Sequence, residues 1–119
     1  MRRLLEPLLT AVFTCCLTTL ALAHAFLDHA TPTVGSSVQG SPSELSLTFT
    51  QNIVAGFSGV GLKSEGGGSV PVGKPSISGN TLTARIGHAL KPGVYVVSWH
   101  VVSVDTHHTQ GSFKFTVTP

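Results

Sequence analysis

From residue 44 to residue 50 the chain alternates strictly, with Leu45, Leu47 and Phe49 on one side and Glu44, Ser46, Thr48 and Thr50 on the other. A period of two marks a β-strand with one buried face. Leu82, Ala84 and Ile86 alternate in the same way after the turn signal Ser78-Gly79-Asn80. The longest such run is Val94 to Val104. It puts Val94, Val96, Ser98, His100 and Val102 on one face and Tyr95, Val97, Trp99, Val101 and Ser103 on the other. Phe113, Phe115 and Val117 give a last strand over residues 112–117. Val60 and Leu62 support a shorter one over Gly59 to Lys63, and the Gly-rich Ser64 to Ser69 reads as a hairpin loop leading to Val70-Pro71-Val72. Lys91-Pro92-Gly93 is a further turn signal. No stretch after residue 23 sustains a helical period. About seven short strands, with turn signals about every ten residues, predict an all-β fold. The expected form is a small antiparallel Greek-key β-sandwich or barrel, immunoglobulin-like or cupredoxin-like. Its expected core is Leu45, Leu47, Phe49, Trp99, Phe113 and Phe115.

The first 23 residues follow another pattern. Arg2 and Arg3 precede a mostly apolar stretch from Leu8 to Leu22, which closes on Ala21-Leu22-Ala23. A basic start, an apolar middle and small residues at the end are the marks of a secretory signal peptide. The stretch is too short and too interrupted by Thr and Cys for a transmembrane helix of about 20 apolar residues. The expected organisation is therefore a signal peptide over 1–23 and one domain over 24–119, exported to the periplasm with no membrane span in the mature chain. Cys15 and Cys16 leave with the leader, and no small residue precedes them as a lipoprotein site requires. The domain then has no disulfide, although its compartment permits one. Met1 is the single methionine, so the mature chain has no sulfur.

Composition narrows the chemistry. In the mature chain Lys63, Lys74, Arg85, Lys91 and Lys114 stand against Asp28, Glu44, Glu65 and Asp105, which is close to neutral. A nucleic-acid surface needs clustered positive charge, and none is present. Gly66-Gly67-Gly68 precedes neither a helix nor a Lys-Ser/Thr pair, so it is not a phosphate loop. Histidine is what stands out: His24, His29, His88, His100, His107 and His108. Neutral imidazole is the commonest metal ligand.

Cleavage after Ala23 makes His24 the first residue, with a free α-amine beside its ring. Amine and ring Nδ1 can close a chelate on one metal ion. An α-amine has a reference pKa of about 8, so a metal can displace its proton near neutral pH. Asp105-Thr106-His107 follows the longest strand. In extended chain, residues i and i+2 share a side, so Asp105 and His107 are expected to present a carboxylate and an imidazole to one point, with Thr106 and His108 facing away. His24, Asp105 and His107 then make a nitrogen–oxygen set without sulfur. It suits Cu(II), the strongest binder of the divalent series, and suits Cu(I) poorly.

Several segments together resemble the CopC copper-resistance family. They are His24-Ala25-Phe26-Leu27, Ser41-Pro42 leading into Leu45-Ser46-Leu47-Thr48-Phe49, Leu90-Lys91-Pro92-Gly93-Val94-Tyr95, Ser98-Trp99-His100-Val101-Val102-Ser103, Asp105-Thr106-His107 and Gly111-Ser112-Phe113-Lys114-Phe115. The resemblance spans nearly the whole mature chain in order. It implies a periplasmic copper-binding β-barrel or sandwich, a copper carrier, and in some members a membrane copper-importing partner of the CopD kind. It assigns Cu(II) to His24, Asp105 and His107, one ion per mature chain. Three departures stand out. The methionine-rich Cu(I) loop of many members is absent. Phe49 is followed by Thr50-Gln51-Asn52 where relatives often have Glu-Pro. His108 stands where a proline often follows the metal histidine.

The other histidines carry weaker expectations. His29 is read as a surface or structural residue that can also lie near the metal, His88 as exposed, His100 as half-buried with a partner on its strand face, and His108 as a competitor of His107 or a bystander. The expected function is to sequester or deliver Cu(II) without catalysis. Two rivals remain: a histidine-brace copper monooxygenase acting on polysaccharide, and a plain immunoglobulin-like binding module without metal.

Overall fold

The computed structural model describes residues 25–119; the leader and His24, which carry two of the expectations above, lie outside the described residues. The described chain forms nine strands and no helix. They are β1 (Leu27–Thr31), β2 (Ser37–Gln39), β3 (Glu44–Phe49), β4 (Gly59–Ser64), β5 (Ser69–Val70), β6 (Ser76–Ser78), β7 (Thr81–Arg85), β8 (Gly93–Val102) and β9 (His108–Thr118). One sheet has the order β1-β3-β7-β6 and the other β2-β9-β8-β4-β5. With β1, β3, β4, β6, β7, β8 and β9 taken as strands A to G, these are the ABED and GFC sheets of an immunoglobulin-type Greek key. The pairings are antiparallel except for β2, which runs parallel to β9.

The alternating runs form strands for the reason their spacing implies. Leu45, Leu47 and Phe49 of β3 are buried against Tyr95, Val97, Trp99 and Val101 of β8 and Phe113, Phe115 and Val117 of β9. Phe49 and Trp99 meet edge to face across the sheets, with ring centroids 5.0 Å apart. These two strands correspond to B and F, which a disulfide joins in antibody domains; here an aromatic contact spans the same pair. Tyr95 stacks on Phe115 at 5.8 Å and donates its hydroxyl to the Lys91 carbonyl at 2.7 Å. A tyrosine bonded back to the chain just before strand F is the tyrosine corner of immunoglobulin-like folds. Glu65 to Gly68 turns the β4–β5 hairpin, with Ser64 N–H bonded to the Gly68 carbonyl at 2.8 Å.

β1, β2 and β6 were not among the expected strands, and two further features differ from expectation. The last strand begins at His108, so it is longer than the predicted run over 112–117. Its early residues Thr109 and Gln110 are polar and offer no apolar period, but the β8 backbone pairs with them through Val102↔His108. His100 is exposed rather than half-buried. It sits on the outer face of the larger sheet with its ring over Gly59, where a Cβ would meet the imidazole at 2.8 Å.

Candidate metal centre

The β8–β9 connection is a tight turn at one end of the sandwich. Thr106 N–H donates to the Ser103 carbonyl at 2.8 Å, and Ser103 N–H donates to the His107 carbonyl at 2.9 Å. Thr106 occupies the left-handed region at φ 73°. The bend differs from the extended run expected over 105–107, yet it brings the same two side chains together. His107 Nδ1 lies 3.2 Å from Asp105 Oδ1. A carboxylate only accepts, so the proton in this contact sits on Nδ1. The convergence therefore comes from a hydrogen-bonded turn and not from strand alternation.

Ser103 is the residue on which that turn is built. It lies on the inward face of β8's run, with no exposed surface, and pairs with Ile53 through an isolated bridge. Its hydroxyl donates to Asp105 Oδ1. The Ser103 hydroxyl holds the Asp105 carboxyl below its usual range, against the opposing effect of partial burial. The His107 ring, main chain and charge add to the lowering. The Asp105 side chain stays 38% exposed, beside a His107 ring that is 49% exposed. An ionised carboxylate and an imidazole, adjacent and open to solvent, are hard-to-borderline donors for a divalent cation.

The start of the described chain is fastened to this same end. Thr109 Oγ1, two residues beyond His107, donates to the Ala25 carbonyl at 2.6 Å. Ala25 is fully buried in the core. Phe26 N–H donates to Thr50 Oγ1 at 2.9 Å, and Thr50 N–H donates to the Phe26 carbonyl at 2.8 Å. Residues 25–26 therefore strap across the sandwich end, from β9 of one sheet to the end of β3 of the other. Val54 N–H bonds the Val102 carbonyl and Val104 N–H the Asn52 carbonyl, which closes the 50–58 loop against the turn. Phe57 and Val104 stand exposed there, at 68% and 61%.

Of the predicted ligands, Asp105 and His107 are in contact, and His24 falls outside the described residues although its neighbour Ala25 is held at this end. His29 pairs instead with Asp28, Nδ1 to Oδ2 at 2.8 Å, on the exposed side of β1. His88 is exposed and bonds the Ala89 carbonyl at 3.2 Å. His108 opens β9 on its outer face. A groove of about 700 Å³ runs along Ser98, His100, Gln110 and Ser112 of the larger sheet, and neither Asp105 nor His107 lines it. Ser103, Thr109 and Thr50 were not singled out from sequence. A signal existed only for Ser103: a hydroxyl at an inward position among Val97, Trp99 and Val101 must find a partner. For Thr109 the partner lies at a sequence separation of 84 residues, which no local pattern reports.

A two-sheet Greek-key sandwich with a carboxylate–imidazole pair at the end that carries its N-terminal strap is the class of protein defined so far. A family model for the CopC domain matches residues 27–118, and the chain belongs to that family. Protein YobA of Escherichia coli (strain K12) is 38% identical over 98 residues, covering 80% of this chain and 79% of YobA. Copper resistance protein C of Pseudomonas syringae pv. tomato is 36% identical over 106 residues, covering 82% and 83% of the two chains. The crystal structure of CopC from Methylosinus trichosporium OB3b superposes with a TM-score of 0.75 at 29% identity, over 81% of this chain and 95% of that one.

Proposed function

We propose that the chain is cut after Ala23 and that the processed protein, beginning at His24, is a periplasmic Cu(II) carrier that sequesters or delivers its ion without catalysis. The α-amine and Nδ1 of His24, the imidazole of His107 and the carboxylate of Asp105 hold the cargo, one ion per chain. The observation that carries this reading is the 2.6 Å bond from Thr109 to the Ala25 carbonyl. Consecutive Cα atoms are about 3.8 Å apart, so residue 24 is one step from a residue anchored two positions beyond His107. Family membership and the name of the Pseudomonas relative support copper as the cargo.

The donor set fits that cargo. Nitrogen and oxygen ligands favour Cu(II), and a mature chain without cysteine or methionine offers Cu(I) nothing soft. Because the amine must lose a proton on binding, Cu(II) uptake releases protons and weakens as pH falls. The exposure of Asp105 and His107 leaves the ion within reach of a recipient, and Phe57 and Val104 beside the turn give such a recipient an apolar landing surface. A membrane copper transporter of the CopD kind is the proposed partner. The test is a mass and titration experiment on protein recovered from the periplasm. The expected mass corresponds to residues 24–119, with one equivalent of Cu(II) bound in competition with a chelator and Cu(I) bound weakly. An N-terminus at Leu22, Ala25 or Phe26, or tight Cu(I) with weak Cu(II) binding, contradicts the proposal.

A further inference from the structure

We infer that Ser103 is a positioning residue for the metal centre: its buried hydroxyl holds the Asp105 carboxylate in the orientation that binds the cation. The inference rests on the proposed function and adds to its three ligands a residue that does not touch the ion. Ser103 has no exposed surface, so it cannot itself meet a metal at the rim of the turn. All its polar groups are nevertheless spent on that turn. Its hydroxyl donates to Asp105 Oδ1, with the His107 carbonyl as a longer second acceptor at 3.4 Å. Its N–H bonds the His107 carbonyl and its carbonyl accepts the Thr106 N–H. A buried serine in a row of core residues costs desolvation unless it is bonded. Here the bond goes to the one carboxylate of the site.

The physical effect is preorganisation. A half-exposed aspartate on a turn samples several rotamers in water, and fixing one of them on binding costs free energy at that moment. With Oδ1 already bonded to Ser103, the rotamer is chosen before the ion arrives. Groups that orient metal ligands in this way typically change affinity by 10–100-fold when removed. Ser58 provides an internal contrast. It is also buried, and it bonds the Val54 carbonyl at 3.0 Å and the Val102 N–H at 3.1 Å, but it touches neither Asp105 nor His107.

The experiment expresses the full chain with its leader, recovers processed protein from the periplasm and measures Cu(II) affinity by chelator competition. Electron paramagnetic resonance of the copper complex and circular dichroism of the metal-free protein are recorded in parallel. The variants are Ser103→Ala, Asp105→Ala, the double variant and Ser58→Ala. Ser103→Ala is expected to weaken Cu(II) binding by about 10-fold or more and to shift the resonance parameters. In the Asp105→Ala background the same change should add nothing. Ser58→Ala should lower thermal stability and leave affinity and spectrum as in the unsubstituted protein. Unchanged affinity and spectrum in Ser103→Ala overturn the inference, as does an equal loss from Ser103→Ala whether or not Asp105 is present, or an equal effect of Ser58→Ala. Unsubstituted protein that fails to bind Cu(II) contradicts the proposed function itself, whereas normal binding in that protein with no response to Ser103→Ala contradicts only the positioning role.

Discussion

Thr106 pays a backbone penalty that its neighbours use. At φ 73° it lies in the left-handed region, where a β-branched side chain is unfavourable. It sits inside the turn that the Ser103–Thr106 and Ser103–His107 main-chain bonds close. Strain of about 1–3 kcal/mol at one residue is typical of sites whose surroundings over-determine them. Thr106→Gly removes the clash but adds unfolded-state entropy of about 0.5–1 kcal/mol. The expected net result is a gain of about 1 kcal/mol in urea unfolding of the metal-free protein; a loss of stability shows instead that the threonine side chain is itself favourable in this turn. At this scale the sequence marked candidate residues and not how they meet. Asp105 and His107 stand out by chemistry and spacing, but their convergence depends on a turn whose geometry is set by main-chain bonds to Ser103. His100 looked like a partnered strand histidine because its neighbours Val96 and Val102 are apolar. Gly59 leaves its outer face open instead, and the ring lies over the gap.

Among the elements, β3, β7 and β8 were legible because each carries at least two apolar residues at a period of two. β2 and β6 were not, since Ser37–Gln39 and Ser76–Ser78 hold one apolar residue each and owe their strand form to a neighbour's free edge. β1 was missed for a different reason: a register shift between Leu27 and His29 breaks its alternation, leaving Asp28 and His29 both exposed and Ala30 buried. The β8–β9 pair carries the aromatic core and one close approach. Gly111 sits opposite Trp99, and a Cβ there would meet the indole at 2.7 Å. The indole is itself packed edge to face on Phe49, which opposes its retreat. Propensity alone favours alanine over glycine in a strand interior, whereas packing predicts the opposite. Gly111→Ala should lower unfolding free energy by about 1–3 kcal/mol, the usual range for overpacking. A denaturation midpoint at or above that of the unsubstituted protein contradicts this account of the core.

Over the described residues, the positive charges are set away from the β8–β9 turn along the strands. By register, Lys63, Arg85 and Lys114 lie toward the ends of β4, β7 and β9 far from the turn, and Lys91 precedes β8 at that same far end. The segments near the β8–β9 turn (25–29, 49–60 and 99–111) contain no lysine or arginine and include Asp28 and Asp105. A cation arriving there meets carboxylates, imidazoles and apolar side chains without a competing positive charge. The strap holds Ala25 and Phe26, the first described residues, at the end where the β8–β9 turn lies. The most direct test of that central claim adds one glycine before His24 in the processed protein. Every side chain is retained, and circular dichroism should be unchanged. The extension converts the amine of His24 into an amide and so opens the amine–imidazole chelate. Linked ligands gain on the order of a hundredfold or more over separate ones, and the account predicts a loss of Cu(II) affinity of about that size. Cu(II) bound by the extended protein as tightly as by the native one would contradict the brace and leave an immunoglobulin-like sandwich whose metal ligands lie elsewhere.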